Sequence, residues 1–106
     1  MVQQIQIELP MPAIEEFCKR WAIREFALFG SVLRDDFRPD SDIDVMVTFQ
    51  DPTRWSLMDR ARMQRELAAL FGRPVDVVRR DGLEQGRNEG RRRHILESAR
   101  VIHAER

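Results

Sequence analysis

Asp42 and Asp44 stand two apart in the run Asp42-Ile43-Asp44-Val45-Met46-Val47-Thr48-Phe49. Residues two apart on a strand point to one face, so this pattern sets two carboxylates side by side while Ile43, Val45, Val47 and Phe49 turn to the core. Adjacent carboxylates repel, and one is driven to protonate unless a cation sits between them. Mg²⁺ suits the position, being a hard ion that takes carboxylate oxygens and keeps places open for water and phosphate. Asp76 stands alone among valines in Val75-Asp76-Val77-Val78. If that run is a strand beside the Asp42 strand, a third carboxylate reaches the same place, and three acids suit a two-ion site for in-line attack at phosphorus.

Gly30-Ser31 supplies the complementary half. Glycine at the end of a strand lets the backbone approach a phosphate closely, and the N–H groups of the turn that follows, with the Ser31 hydroxyl, can hold its oxygens. Arg34, one turn further, can face the same anion. A Gly-Ser pair alone is an ordinary turn, and an Asp-x-Asp alone is often a solvated strand edge. Their combination, Gly-Ser-x10-Asp-x-Asp, arises by chance in on the order of one chain in a thousand of this length.

The elements that must position these residues can be read in turn. Pro12 opens a helix whose Ile14, Phe17, Cys18 and Trp21 recur at the spacing of one buried face, which predicts a helix from about Pro12 to Trp21. Glu25 to Phe29 reads as a buried strand meeting the Gly30-Ser31 turn, and Val32 to Asp36 as one or two helical turns. Pro39-Asp40-Ser41 is turn chemistry leading into the Asp42 strand. A long helix follows from Thr53 or Ser56 to Phe71, with Leu57, Met58, Ala61, Leu67, Ala68 and Phe71 roughly on one side, stopped by Gly72 and Pro74. Val75 to Val78 is a third strand, Asp81 to Gly90 reads as a loop, and a last helix runs from near Asn88 through Ile95, Leu96 and Ala99. The expected fold is α/β (α+β), a small mixed sheet flanked by helices.

With 106 residues, 42% apolar and 34% charged, the chain is expected to be one domain with a buried core. No apolar run approaches the ~20 residues of a membrane span, and Gln3, Gln4, Gln6 and Glu8 do not suit a signal peptide, so a cytoplasmic location and no membrane partner are expected. Cys18 has no cysteine partner, which argues against disulfide and zinc chemistry. The zero net charge divides into −5 up to Thr53 and +5 from Arg54 onward. Such a division suits a metal beside a polyphosphate, although scattered surface charge produces it too.

The segment from Phe29 to Phe49 resembles the signature of the DNA polymerase β-like nucleotidyltransferase superfamily. Its wording, Gly-Ser-Val-Leu-Arg through Arg-Pro-Asp-Ser-Asp-Ile-Asp-Val, is similar to the minimal nucleotidyltransferase (MNT) family. The likeness spans about residues 12–80, with its signature at 29–49 and the third-carboxylate strand at 74–79. It implies a nucleotidyltransferase fold and two Mg²⁺ ions held by Asp42, Asp44 and Asp76. The same likeness puts ATP on Gly30 and Ser31, with Arg34 and Ser41 in the nucleotide-binding set. A hydroxyl would attack the α-phosphate and release pyrophosphate, Asp76 lowering the pKa of that hydroxyl by holding the second ion. Members of this family are often antitoxins paired with a HEPN ribonuclease toxin, which implies a tyrosine of that partner as the AMP acceptor. This chain contains no tyrosine of its own to modify. Asp35 departs from the glycine that many relatives carry after the arginine, and no residue beyond Arg80 is carried over.

The basic segment at 81–106, with Arg87, Arg91, Arg92 and Arg93 added to Arg79 and Arg80, suits phosphate contact or protein docking as well as plain solvation. Beyond Phe71 it has no aromatic residue for stacking, so nucleic acid is not the expected partner. His94 and His103 have no cysteine company and do not suggest zinc. Trp55 suits packing at a helix start better than covering a nucleobase. Three function classes remain: a nucleotidyltransferase acting on a partner protein, an antitoxin that only binds nucleotide and partner, and a transferase for a small molecule or nucleic acid end. The third usually needs an added domain, and the three acids favour catalysis over mere contact.

Overall fold

The computed structural model describes residues 7–33, 38, 41–51, 56–86 and 89–104. Pro12 stands in the first turn of α1 (Met11–Arg20), whose Ile14, Phe17 and Cys18 are completely buried. Ala22, in the left-handed region at φ 52°, turns the chain into β1 (Ile23–Phe29), which starts two residues earlier than the sequence pattern suggests because Ile23 is itself a core residue. A short 3₁₀ turn, Gly30–Leu33, follows in place of the α-helical turns expected from Val32. The Asp36 end of that expectation, Arg34, Trp55 and Arg87 all lie outside the described residues. Then come β2 (Ile43–Phe49), α2 (Leu57–Phe71), β3 (Val75–Arg79), α3 (Arg80–Glu84), α4 (Glu89–Ser98) and β4 (Arg100–Ala104).

The sheet has the order β3-β2-β1-β4, with β1 antiparallel to both β2 and β4 and β2 parallel to β3 through the α2 crossover. It is therefore a mixed sheet in an α+β fold. Alternation on β2 divides the two layers: Ile43, Val45 and Val47 join Phe17, Phe26, Met63 and Leu67 in the main core under α1 and α2. Met46 goes to the opposite face, with Ala27, Phe29 and Ile95 of α4. Phe17 anchors the main layer with its ring edge-on to Phe26, centroids 6.2 Å apart.

Three sequence expectations are corrected. Leu57 and Met58 are 81% and 69% exposed, and Ala61 is exposed as well. The buried stripe of α2 runs instead through Met63 and Leu67, with Leu70 and Phe71 packed beside it, because helical spacing turns Met58 well away from that line. The expected loop from Asp81 to Gly90 contains α3, where Arg80 bonds Glu84 one turn on and Leu83 packs on the second core. The described residues also include a last strand, Arg100–Ala104, that the pattern did not suggest. Its Arg-Val-Ile-His-Ala is too short and polar to announce itself, and β1 supplies the backbone partners.

α1 and α2 are tied together across the main layer by Glu66. It accepts from Trp21 Nε1 at 2.7 Å and from Arg20 Nη1 at 3.1 Å. Glu66→Ala leaves the part-buried indole N–H without its partner, so chemical denaturation should show a loss of about 1–2 kcal/mol.

Candidate active site

Asp44 is the second residue of β2 and stands in register with Phe29 of β1 on one side and Asp76 of β3 on the other. The alternation that buries Ile43 and Val45 sends Asp44 to the α4 face, half-exposed at the end of the sheet. Asp76 shares that face with Val78, which packs on the second core. The adjacency of the Asp76 and Asp42 strands, conditional in the sequence, is thus a feature of the fold.

Gly30 closes the other side. Its φ is +78°, a conformation that L side chains rarely adopt, and a Cβ placed there would lie 2.4 Å from Asp44 Oδ2. The backbone at the end of β1 is pressed against the carboxylate, and only a residue without a side chain fits. Gly30, Ser31 and Asp44 form one wall of a cavity of about 350 Å³, and Arg91, His94 and Ser98 of α4 form the other. Arg91 and His94 therefore line the same cavity as the Gly-Ser turn. Sequence reasoning carried no residue over from this helix. The available signal was the basic run at 91–93, and nothing in it said which arginine faces the cavity.

Asp42 is exposed immediately before β2. The turn leading to it is pinned twice: Ser41 exchanges bonds with Arg38, its hydroxyl accepting from the Arg38 amide, and Arg73 Nη1 donates to the Arg38 carbonyl at 3.1 Å. Ser41 closes this turn and is not part of the cavity lining. Asp76 receives Arg60 Nη2 from the first turns of α2 at 3.0 Å. Gln64, one turn further, accepts from the Val77 amide at 3.0 Å and so holds α2 along the open edge of β3.

The donor set has the right chemistry for Mg²⁺: three carboxylates, two of them register neighbours on adjacent strands. Among the described residues, however, no three His, Cys, Asp or Glu side chains are grouped closely enough to hold a metal ion as they stand. Asp76 is turned to an arginine instead. Other arginines of the basic half are spent internally. Arg79 is paired with Asp81, Arg80 with Glu84 and Glu25, and Arg92 bonds the Glu84 carbonyl. No described helix is long and apolar enough to cross a membrane.

The nucleotidyltransferase domain family matches residues 11–102. Protein adenylyltransferase MntA of Thermococcus cleftensis is 35% identical over 72 residues, which is 68% of this chain and 71% of the relative. Two solved structures share the fold at 19% identity. One is a toxin-antitoxin with AMP-PNP, at TM-score 0.70 over 92% of this chain and 76% of that one. The other, at TM-score 0.61 over 89% and 69%, is from a tri-AMPylated Shewanella oneidensis HEPN toxin in complex with MNT antitoxin. On the extent of the family match and the identity to the Thermococcus relative, this chain belongs to the nucleotidyltransferase domain family.

Proposed function

We propose that this chain transfers AMP from ATP to a tyrosine hydroxyl of a HEPN-type toxin and thereby neutralises it as the antitoxin of the pair. The observation that carries the reading is Asp44, flanked by the Gly30 backbone on one strand and Asp76 on the next, at a cavity faced by Arg91 and His94. The name of the Thermococcus relative supports protein adenylylation, and the two toxin–antitoxin structures of the same fold support the nucleotide and the partner.

The roles follow from charge and position. Gly30 lets the triphosphate approach the backbone, and the Ser31 hydroxyl with the N–H groups of the turn bonds its oxygens. Arg91 and His94 offer donors from the opposite wall. Arg34 belongs to the phosphate-binding set with them, and Ser41 holds the turn that presents Asp42. Asp42, Asp44 and Asp76 would hold Mg²⁺, which when bound screens the charge of the triphosphate and of the transition state. The tyrosine oxygen bonds to the α-phosphorus, the bond to the bridging oxygen of pyrophosphate breaks, and the phenolic proton leaves to solvent. Holding both reactants in line is what the rigid strand ends contribute.

The test is to purify the chain with a HEPN-type partner encoded beside it, add ATP and Mg²⁺, and map modified peptides by mass spectrometry. AMP on a partner tyrosine with loss of its ribonuclease activity is the expected result. An inhibited partner that carries no AMP would replace catalysis with neutralisation by binding.

A further inference from the structure

We infer that Arg60 is a built-in counter-cation for Asp76, competing with the divalent ion for that carboxylate and so setting how much metal the chain needs. The inference rests on the assignment of Asp76 as a metal ligand. Ser56 caps the start of α2 by accepting the Asp59 amide, and Arg60 follows one residue later, with its own amide bonded to the Ser56 carbonyl. With α2 held along β3 by Gln64, the Arg60 guanidinium arrives beside Asp76 on the edge strand.

Three features suit a displaceable partner better than a permanent strut. The contact is one-pronged, Nη2 to Oδ1 at 3.0 Å, while Arg60 Nε is buried with no hydrogen-bond partner among the described residues. It therefore lacks the two-pronged geometry of the strongest arginine–carboxylate pairs. Both side chains are nearly half-exposed, at 43% and 47%, where an ion pair is weak. Arg60 also lines an open cleft of about 410 Å³ together with Leu57, Val77, Val78 and Leu83, which gives the released side chain room for its stem and access of its charge to water. The pairing also agrees with the ungrouped carboxylates, since an Asp76 turned to Arg60 is not turned to Asp44. Arg60 is a positioning residue and not a catalytic one: it acts on the reaction only through the carboxylate it holds.

The test is a titration with Mn²⁺ alone, without nucleotide, following free Mn²⁺ by electron paramagnetic resonance in the full chain. Removing a neighbouring positive charge and a competing partner should tighten Mn²⁺ binding by roughly threefold in Arg60→Gln, while Arg60→Lys stays close to the unmodified chain. In the Asp76→Asn background, Mn²⁺ should bind weakly and Arg60→Gln should no longer tighten it. Arg60→Gln binding Mn²⁺ no more tightly than the unmodified chain, with Asp76→Asn still impaired, overturns the competition and leaves the metal assignment standing. Asp76→Asn binding Mn²⁺ as well as the unmodified chain overturns both.

Discussion

Asp44→Asn is expected to lower nucleotidyl transfer by on the order of a thousandfold while leaving the fold almost untouched. The amide has nearly the same volume, so packing against Gly30 and register between Phe29 and Asp76 survive. What disappears is the negative charge at the centre of the site, the group flanked by both the Gly30-Ser31 turn and the strand of Asp76. Charge placed where the transition state needs it contributes far more to rate than to stability. Initial rates at saturating ATP and Mg²⁺, beside a thermal melt, check both halves of the expectation. A variant that melts normally and retains transfer within tenfold would remove Asp44 from the chemistry.

Gly30→Ala should reduce transfer about a hundredfold, and Gly72→Ala provides the contrast. Both glycines lie in the left-handed region, at φ +78° and +75°, so each substitution carries a backbone penalty of about 1–2 kcal/mol. They differ in what the new methyl meets. At Gly72, which ends α2, nothing lies within 4 Å, whereas at Gly30 the methyl falls 2.4 Å from Asp44 Oδ2 and the carboxylate must move. Loss of stability in both variants, with loss of transfer confined to Gly30→Ala, is the expected outcome. Equal activity in the two would mean that the close approach to Asp44 has no part in the reaction.

The strand carrying Asp44, with Asp42 one residue before its start, was legible because alternation on a half-buried strand is a local property: each apolar residue of the run pins its neighbour to the other face. Gly30 was legible for the same reason, as a turn between two readable segments. The adjacency of Asp44 and Asp76 could be posed but not decided, since strand order depends on where the α2 crossover lays β3. The α2 stripe was misjudged because Leu57, Met58 and Ala61 count as apolar in a pattern yet lie off the line through Met63 and Leu67. β4 depends on hydrogen bonds donated and accepted by β1, some seventy residues earlier, and five residues with only Val101 and Ile102 as large aliphatic side chains do not advertise such a partner. Separation in sequence also concealed Arg60 beside Asp76, 16 residues further on, and Arg91 and His94 at the cavity of Gly30, far later in the chain. Each is an ordinary polar side chain until the fold brings its element to the end of the sheet.

Nucleotidyl transfer itself is most directly tested by supplying ATP labelled at the α-phosphate in one reaction and at the γ-phosphate in another, with Mg²⁺ and the partner protein. An Asp42→Asn/Asp44→Asn double variant runs alongside. Covalent label on the partner from the α-position only, absent with the double variant, is the expected result. Label arriving from the γ-position, or arriving equally with the double variant, would contradict nucleotidyl transfer at this site.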